Sequence, residues 1–139
     1  YSAICHERIV VLLNAGVTGA LLELLRRKGL MLHLSSGTPR DSLFAMMRET
    51  GLDRHFASIN GSPTAKADTL RAIMREHDLN ASQVAVIGDG DSDAQAASAA
   101  GCTFLRVAED ASELHGQPAE AGFAFLGDRL GLASREAAA

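Results

Sequence analysis

The chain has 139 residues, 47% hydrophobic and 22% charged, with 17 acidic against 13 basic side chains and a net charge of −4. This describes one domain with one core, too apolar for a disordered tail and without the basic surface that nucleic acid requires, since no basic cluster exceeds Arg26-Arg27-Lys28. No apolar run approaches the ~18–20 residues of a membrane helix, two cysteines, Cys5 and Cys102, make no disulfide framework, and the expected setting is soluble and cytoplasmic.

In chain order, Leu21, Leu22, Leu24 and Leu25 recur at helical spacing. Arg26-Arg27-Lys28 then stand where cations suit a helix C-terminus, and Gly29 ends the helix. Leu30 to Ser35 is a short apolar run of the kind buried on both faces of a parallel sheet. Pro39 opens a second helix with Leu43, Phe44, Met46 and Met47 on its inner side, closed by Gly51. Phe56 to Asn60 reads as a strand, and Thr64 as the cap of a helix carrying Leu70, Ile73 and Met74. Val84 to Ile87 is the clearest strand, and an alanine-rich helix from about Ser92 to Ala100 follows, ended by Gly101. Cys102 to Val107 reads as a strand and Phe123 to Leu126 as a further one, with a loop from Glu109 to Gly122 and a frayed Ala137-Ala138-Ala139 end. Strands alternating with helices imply parallel pairing, right-handed crossovers and a three-layer α/β sandwich.

Ligands of open parallel sheets bind beyond the carboxyl ends of the strands. After Leu30–Ser35 come Ser36-Gly37-Thr38, with hydroxyls and an unhindered backbone. After Val84–Ile87 comes Gly88-Asp89-Gly90-Asp91-Ser92-Asp93, three carboxylates in five residues, a density that calls for a neutralising cation. Hard oxygens there suit Mg²⁺, which takes one or two carboxylates with water and substrate phosphate. Lys66 stands at a helix start, the unfavourable end of the dipole for a cation, and needs an anion from a neighbouring carboxylate or a bound phosphate.

Together these points resemble the haloacid dehalogenase superfamily, mostly aspartate-nucleophile phosphatases. Ser36 in Leu34-Ser35-Ser36-Gly37-Thr38-Pro39 matches the second motif, Lys66 in Gly61-Ser62-Pro63-Thr64-Ala65-Lys66 the third, and Gly88-Asp89-Gly90-Asp91-Ser92-Asp93 the fourth. The pattern runs from about Val17 to Val107. The resemblance implies a Rossmann-like sandwich in which Asp89 ligates Mg²⁺ and Asp93 either holds the ion through water or orients Lys66. It implies that the Ser36 hydroxyl and Gly37 amide bind phosphoryl oxygens while Lys66 neutralises charge. The implied reaction is phosphoryl transfer from a small phosphorylated metabolite through an aspartyl-phosphate. Ser35 competes with Ser36, which is preferred because Gly37 follows it.

The first motif, Asp-x-Asp after an amino-terminal strand, is missing, and no acidic residue follows an apolar strand before Ser36. The resemblance places that strand mid-sheet, so the expectation is a sheet lacking its first central strand. Residues 1–16 are expected to be the remnant of a helical cap and residues 17–139 an incomplete Rossmann-like hydrolase core. The chain, beginning at Tyr1, is expected to be the carboxyl-terminal part of a longer phosphatase and inactive alone. An N-terminal segment or homodimerisation would complete the sheet. The rival expectation, from another class, is a non-catalytic pseudo-hydrolase serving as a scaffold or dimerisation unit.

Other chemistries fail on particular residues. Ala94 and Ala100 occupy the positions where a calcium loop needs Gly and Glu. Asp93 stands where a dinucleotide motif needs its third Gly. Asp91 reads as a bystander, and His33 as a hydrogen-bonded core residue. His6, His55, His77 and His115 read as surface residues, Met31, Met46, Met47 and Met74 as core packing, and Cys5 and Cys102 as buried thiols.

Overall fold

The computed structural model describes residues 8–12, 19–107 and 118–130. They form β1 (Arg8–Leu12), α1 (Gly19–Arg27), β2 (Met31–Pro39), α2 (Arg40–Thr50), a 3-10 turn (Leu52–His55), β3 (Ser58–Ser62) and α3 (Lys66–Glu76). A short 3-10 turn then leads to β4 (Ala85–Gly88), α4 (Asp91–Ala100), β5 (Thr103–Arg106) and α5 (Ala119–Leu130). All four pairings are parallel, in the order β3-β2-β1-β4-β5. This is the expected Rossmann-like sandwich. Among the described residues no helix is long and apolar enough to cross a membrane.

The helices cover both faces of the sheet. Leu21, Leu22 and Leu25 of α1 pack with Leu32, Ile87, Val107 and Leu126 on one side. Leu70 and Ile73 of α3 pack with Val84, Val86, Ala96 and Ala97 on the other. Neighbouring β4 residues Val86 and Ile87 serve opposite layers, as the pleat requires. Each fully buried leucine contributes roughly 1.5–3 kcal/mol, and Leu21, Leu22, Leu25, Leu32, Leu34, Leu70 and Leu126 all fall in that class.

Several expectations are corrected. The middle of the sheet is filled: residues 8–12, expected within a cap helix, form β1, paired to β2 from Arg8↔Met31 to Leu12↔Ser35 and to β4 from Ile9↔Ala85 to Val11↔Ile87. The physical reason is that Ile9-Val10-Val11-Leu12 is a largely β-branched apolar run, and the inner edges of β2 and β4 need partners for their backbone groups. Phe123–Leu126 is helical within α5, because Gly122 and Leu126, one turn apart, face α1; Gly122 lies against Leu21.

Ala65, not Thr64, precedes the first turn of α3 and gives no side-chain cap. Met46 is 47% exposed on the outer face of α2. His55 is buried, not on the surface, and Cys102 is half-buried, its thiol pKa raised by that burial. His33 is the hydrogen-bonded core residue expected, with Nδ1 2.7 Å from Ser58 Oγ. The readings of Cys5, His6, His115, most of Glu109–Gly122 and the terminal alanines lie outside the described residues.

Candidate active site

The register sets two candidate groups at one height. Val11 pairs with Leu34 of β2 and with Ile87 of β4. Ser36 and Asp89 each lie two residues farther on, so both stand at the carboxyl edge of the sheet, separated by β1. Two strand spacings amount to about 10 Å. Ser35 is still inside the ladder, opposite Leu12 and Asn60, and Ser36 is the first residue past it, where the β2–β3 register shifts.

At this corner the chain satisfies itself. The Thr38 backbone N–H donates to Ser36 Oγ at 3.1 Å, and the Ser36 hydroxyl donates to Thr38 Oγ1 at the same distance. A phosphoryl oxygen would therefore take over a proton that Thr38 now receives. Gly37 is exposed, with nothing within 4 Å of where a Cβ would stand, so its backbone is open to a ligand. A Cβ on Gly61 would meet Thr38 O at 2.7 Å and Arg40 Cα at 2.8 Å. The bare backbone there lets the loop before α3 lie against the β2–α2 corner.

Lys66 is the first residue of α3, and its unfavourable position at the helix start is compensated by a carboxylate. Lys66 Nζ donates to Asp93 Oδ1 at 2.5 Å and to Ser92 Oγ at 3.4 Å. Asp93 is 3% exposed, and its other oxygen accepts the Gly90 N–H at 3.4 Å. A Cβ on Gly88 would fall 2.4 Å from Asp93 Oδ2, so β4 ends in glycine where Asp93 folds back over it.

Arg106, the last residue of β5, donates to the Asp89 carbonyl and to Asp91 Oδ1, both at 3.0 Å. Asp91, read as a bystander, is thus an exposed partner of Arg106, a weak pair at a surface. Gly88 and Ser92 stand within the motif, but their contacts with Asp93 and Lys66 were not part of the sequence reading. The helical step from Asp93 and the close turn after β4 are the signals that point to them.

The structure brings Lys66 and Asp93 into contact and sets Ser36, Gly37 and Asp89 at the same edge of the sheet. Among the described residues there is no cluster of three or more His, Cys, Asp or Glu side chains that could hold a metal. The Asp93 oxygens are engaged by Lys66 and by the Gly90 N–H.

Residues 6–101 match a family model described as haloacid dehalogenase-like hydrolase. No curated protein matches significantly. Among solved structures, a haloacid dehalogenase-like family protein from Streptococcus pneumoniae is 24% identical with a TM-score of 0.60, over 76% of this chain and 56% of its own. The core domain of a protein from S. pneumoniae TIGR4, provisionally named a phosphoglycolate phosphatase, is 17% identical with a TM-score of 0.62, over 87% of this chain and 94% of its own. A mutant CbbY from Rhodobacter sphaeroides in complex with xylulose-1,5-bisphosphate is 23% identical with a TM-score of 0.55, over 63% of this chain and 43% of its own. The chain spans about half the length of several such proteins, 55%, 39% and 47% in three further cases. At these identities the likeness is one of fold.

Proposed function

The chain belongs to the haloacid dehalogenase-like hydrolases, and from that membership we propose that it supplies the phosphate-binding side of an active centre hydrolysing phosphomonoesters of small metabolites. The observation that supports this most is the Lys66–Asp93 pair, a cation held by a buried carboxylate beside the strand ends that carry Ser36 and Asp89. The Ser36 hydroxyl and Gly37 N–H donate to two phosphoryl oxygens. Lys66, fixed by Asp93, directs its remaining proton at a third and offsets charge that moves onto the oxygens in the transition state. Asp93 therefore serves as the group that orients Lys66.

The donor chemistry at Asp89 fits Mg²⁺, an ion content with one or two carboxylates when water and phosphate complete its shell. Asp89 would hold it, with Asp93 reaching it only through water. Bound there, the ion would polarise the phosphoryl group and neutralise charge. The nucleophilic carboxylate comes from outside this chain: from Arg8 through Leu22, across the carboxyl end of β1, there is no Asp or Glu.

The same absence favours a second reading, a non-catalytic domain that binds phosphate without cleaving its ester. Calorimetric titration with Mg²⁺ tests the metal assignment shared by both. Asp89→Asn is expected to weaken binding at least tenfold, roughly the loss of one charged ligand interaction. Equal affinity in the two proteins removes the assignment.

A further inference from the structure

The strand beside the acidic loop carries a cation of its own. Arg106 ends β5, opposite Gly88 at the last rung of the β4–β5 ladder. Phe104 stands two residues back, on the same face of the strand, and packs into the layer formed by α3 and α4. The Arg106 guanidinium lies 5.5 Å from the centre of the Phe104 ring, an attraction that keeps the arm laid along that face.

From there the two branches of the fork reach different parts of one turn. Nη1 donates to the Asp89 carbonyl and Nη2 to Asp91 Oδ1, both at 3.0 Å. Asp91 is the first residue of α4, so one planar group spans the turn from β4 to the helix. The neighbouring carbonyls are held by main-chain donors: Gly88 O accepts the Val107 N–H at 2.9 Å, and Gly90 O accepts the Ala94 N–H at 3.2 Å. The carbonyl of half-buried Asp89, between them, is held by a side chain 17 residues away.

Charge is a poor reason for Arg106 to stand here. A guanidinium beside three carboxylates competes with a divalent cation for the same loop. Its side chain is 51% exposed and that of Asp91 89%, so water and salt weaken their attraction. The bond to the carbonyl is directional and has a charged donor, which makes it the stronger of the two contacts.

We propose that Arg106 is a positioning residue for the candidate cation site: by holding the Asp89 carbonyl it fixes the turn, and with it the direction of the Asp89 carboxylate. The inference rests on the reading of Asp89 as a Mg²⁺ ligand. A turn released from Arg106 samples other conformations, which an arriving ion has to restrict at a cost in affinity.

Mg²⁺ added to the ¹⁵N-labelled chain, followed at the Asp89 and Gly90 amides by two-dimensional ¹H–¹⁵N NMR, tests this. The parent should show saturable shifts there, and Asp89→Asn should bind more weakly. Arg106→Gln should lower Mg²⁺ affinity about fivefold, the equivalent of one hydrogen bond. Arg106→Lys keeps the charge but not the fork and should fall between. Asp91→Asn leaves the carbonyl bond in place and should cost less than Arg106→Gln. Without Mg²⁺, the Gly90 amide of Arg106→Gln should exchange faster while those of Val86 and Ile87 keep the parent's rates, which separates a loosened turn from a destabilised fold. A role in charge alone would make Arg106→Gln bind Mg²⁺ more tightly. Affinity equal to or above the parent's, with Asp89→Asn still weakened, overturns the inference alone. No saturable shift in the parent, or equal affinity in Asp89→Asn, overturns the metal reading and the inference with it.

Discussion

At the scale of single residues, the Lys66–Asp93 pair depends on what is missing from Gly88 as much as on what Asp93 carries. Asp93 lies folded over the end of β4, with Lys66 on one oxygen and the Gly90 N–H on the other. Gly88→Ala would drive a methyl group to 2.4 Å from Oδ2, and Asp93 has no spare room into which to move because it is 3% exposed. The expected cost is about 1–3 kcal/mol, typical of overpacking, read as a lower urea midpoint with an unchanged slope. A midpoint equal to that of the parent would show that Asp93 shifts freely. The pairing of Lys66 with Asp93 was legible because a cation at a helix start and three carboxylates in five residues are unstable features unless each answers the other. The burial of His55 was not legible, since Asp53 and Arg54 beside it give the segment the look of a surface turn.

Secondary-structure elements show where local pattern suffices and where it fails. The β2, β4 and α3 segments announce themselves by apolar runs and spacing. Phe123–Leu126 does not, because four apolar residues fit a strand as well as one helical turn, and only packing against α1 decides for the helix. The segment 8–12 misled for the converse reason: its role follows from the two neighbours that pair with it. The 3-10 turn at Leu52–His55 is fastened to α1 through His55, and this attachment is sensitive to acid. The unfolded chain takes up a proton near 6.5, whereas the buried ring does so only at lower pH. The unfolded state thus binds more protons in that interval, so this contribution is complete above pH 6.5 and diminishes as pH falls below it, by at most about 1.4 kcal/mol per pH unit. Urea midpoints compared at neutral and mildly acidic pH should show the decline, and His55→Leu should flatten it. An identical decline in the variant would assign it to other groups.

For the whole molecule, the fold brings Ser36, Gly37, Asp89 and the Lys66–Asp93 pair to one edge of the sheet, and no Asp or Glu follows β1 before Glu23. The chain on its own is therefore expected to release no phosphate from p-nitrophenyl phosphate in the presence of Mg²⁺ above the uncatalysed rate, as measured by continuous absorbance. Sustained release that Lys66→Met abolishes would mean that another residue of this chain acts as the nucleophile. The filled centre of the sheet is the part least accessible to sequence, because a missing motif does not entail a missing strand. The backbone slot and the chemical group that usually accompanies it are separable, and here only the slot is filled. A carboxylate-bearing peptide offered in trans would find that slot already tenanted by residues 8–12. Reconstitution would then advance only as quickly as the tenant is evicted, so raising the peptide concentration would cease to accelerate it once eviction became the bottleneck.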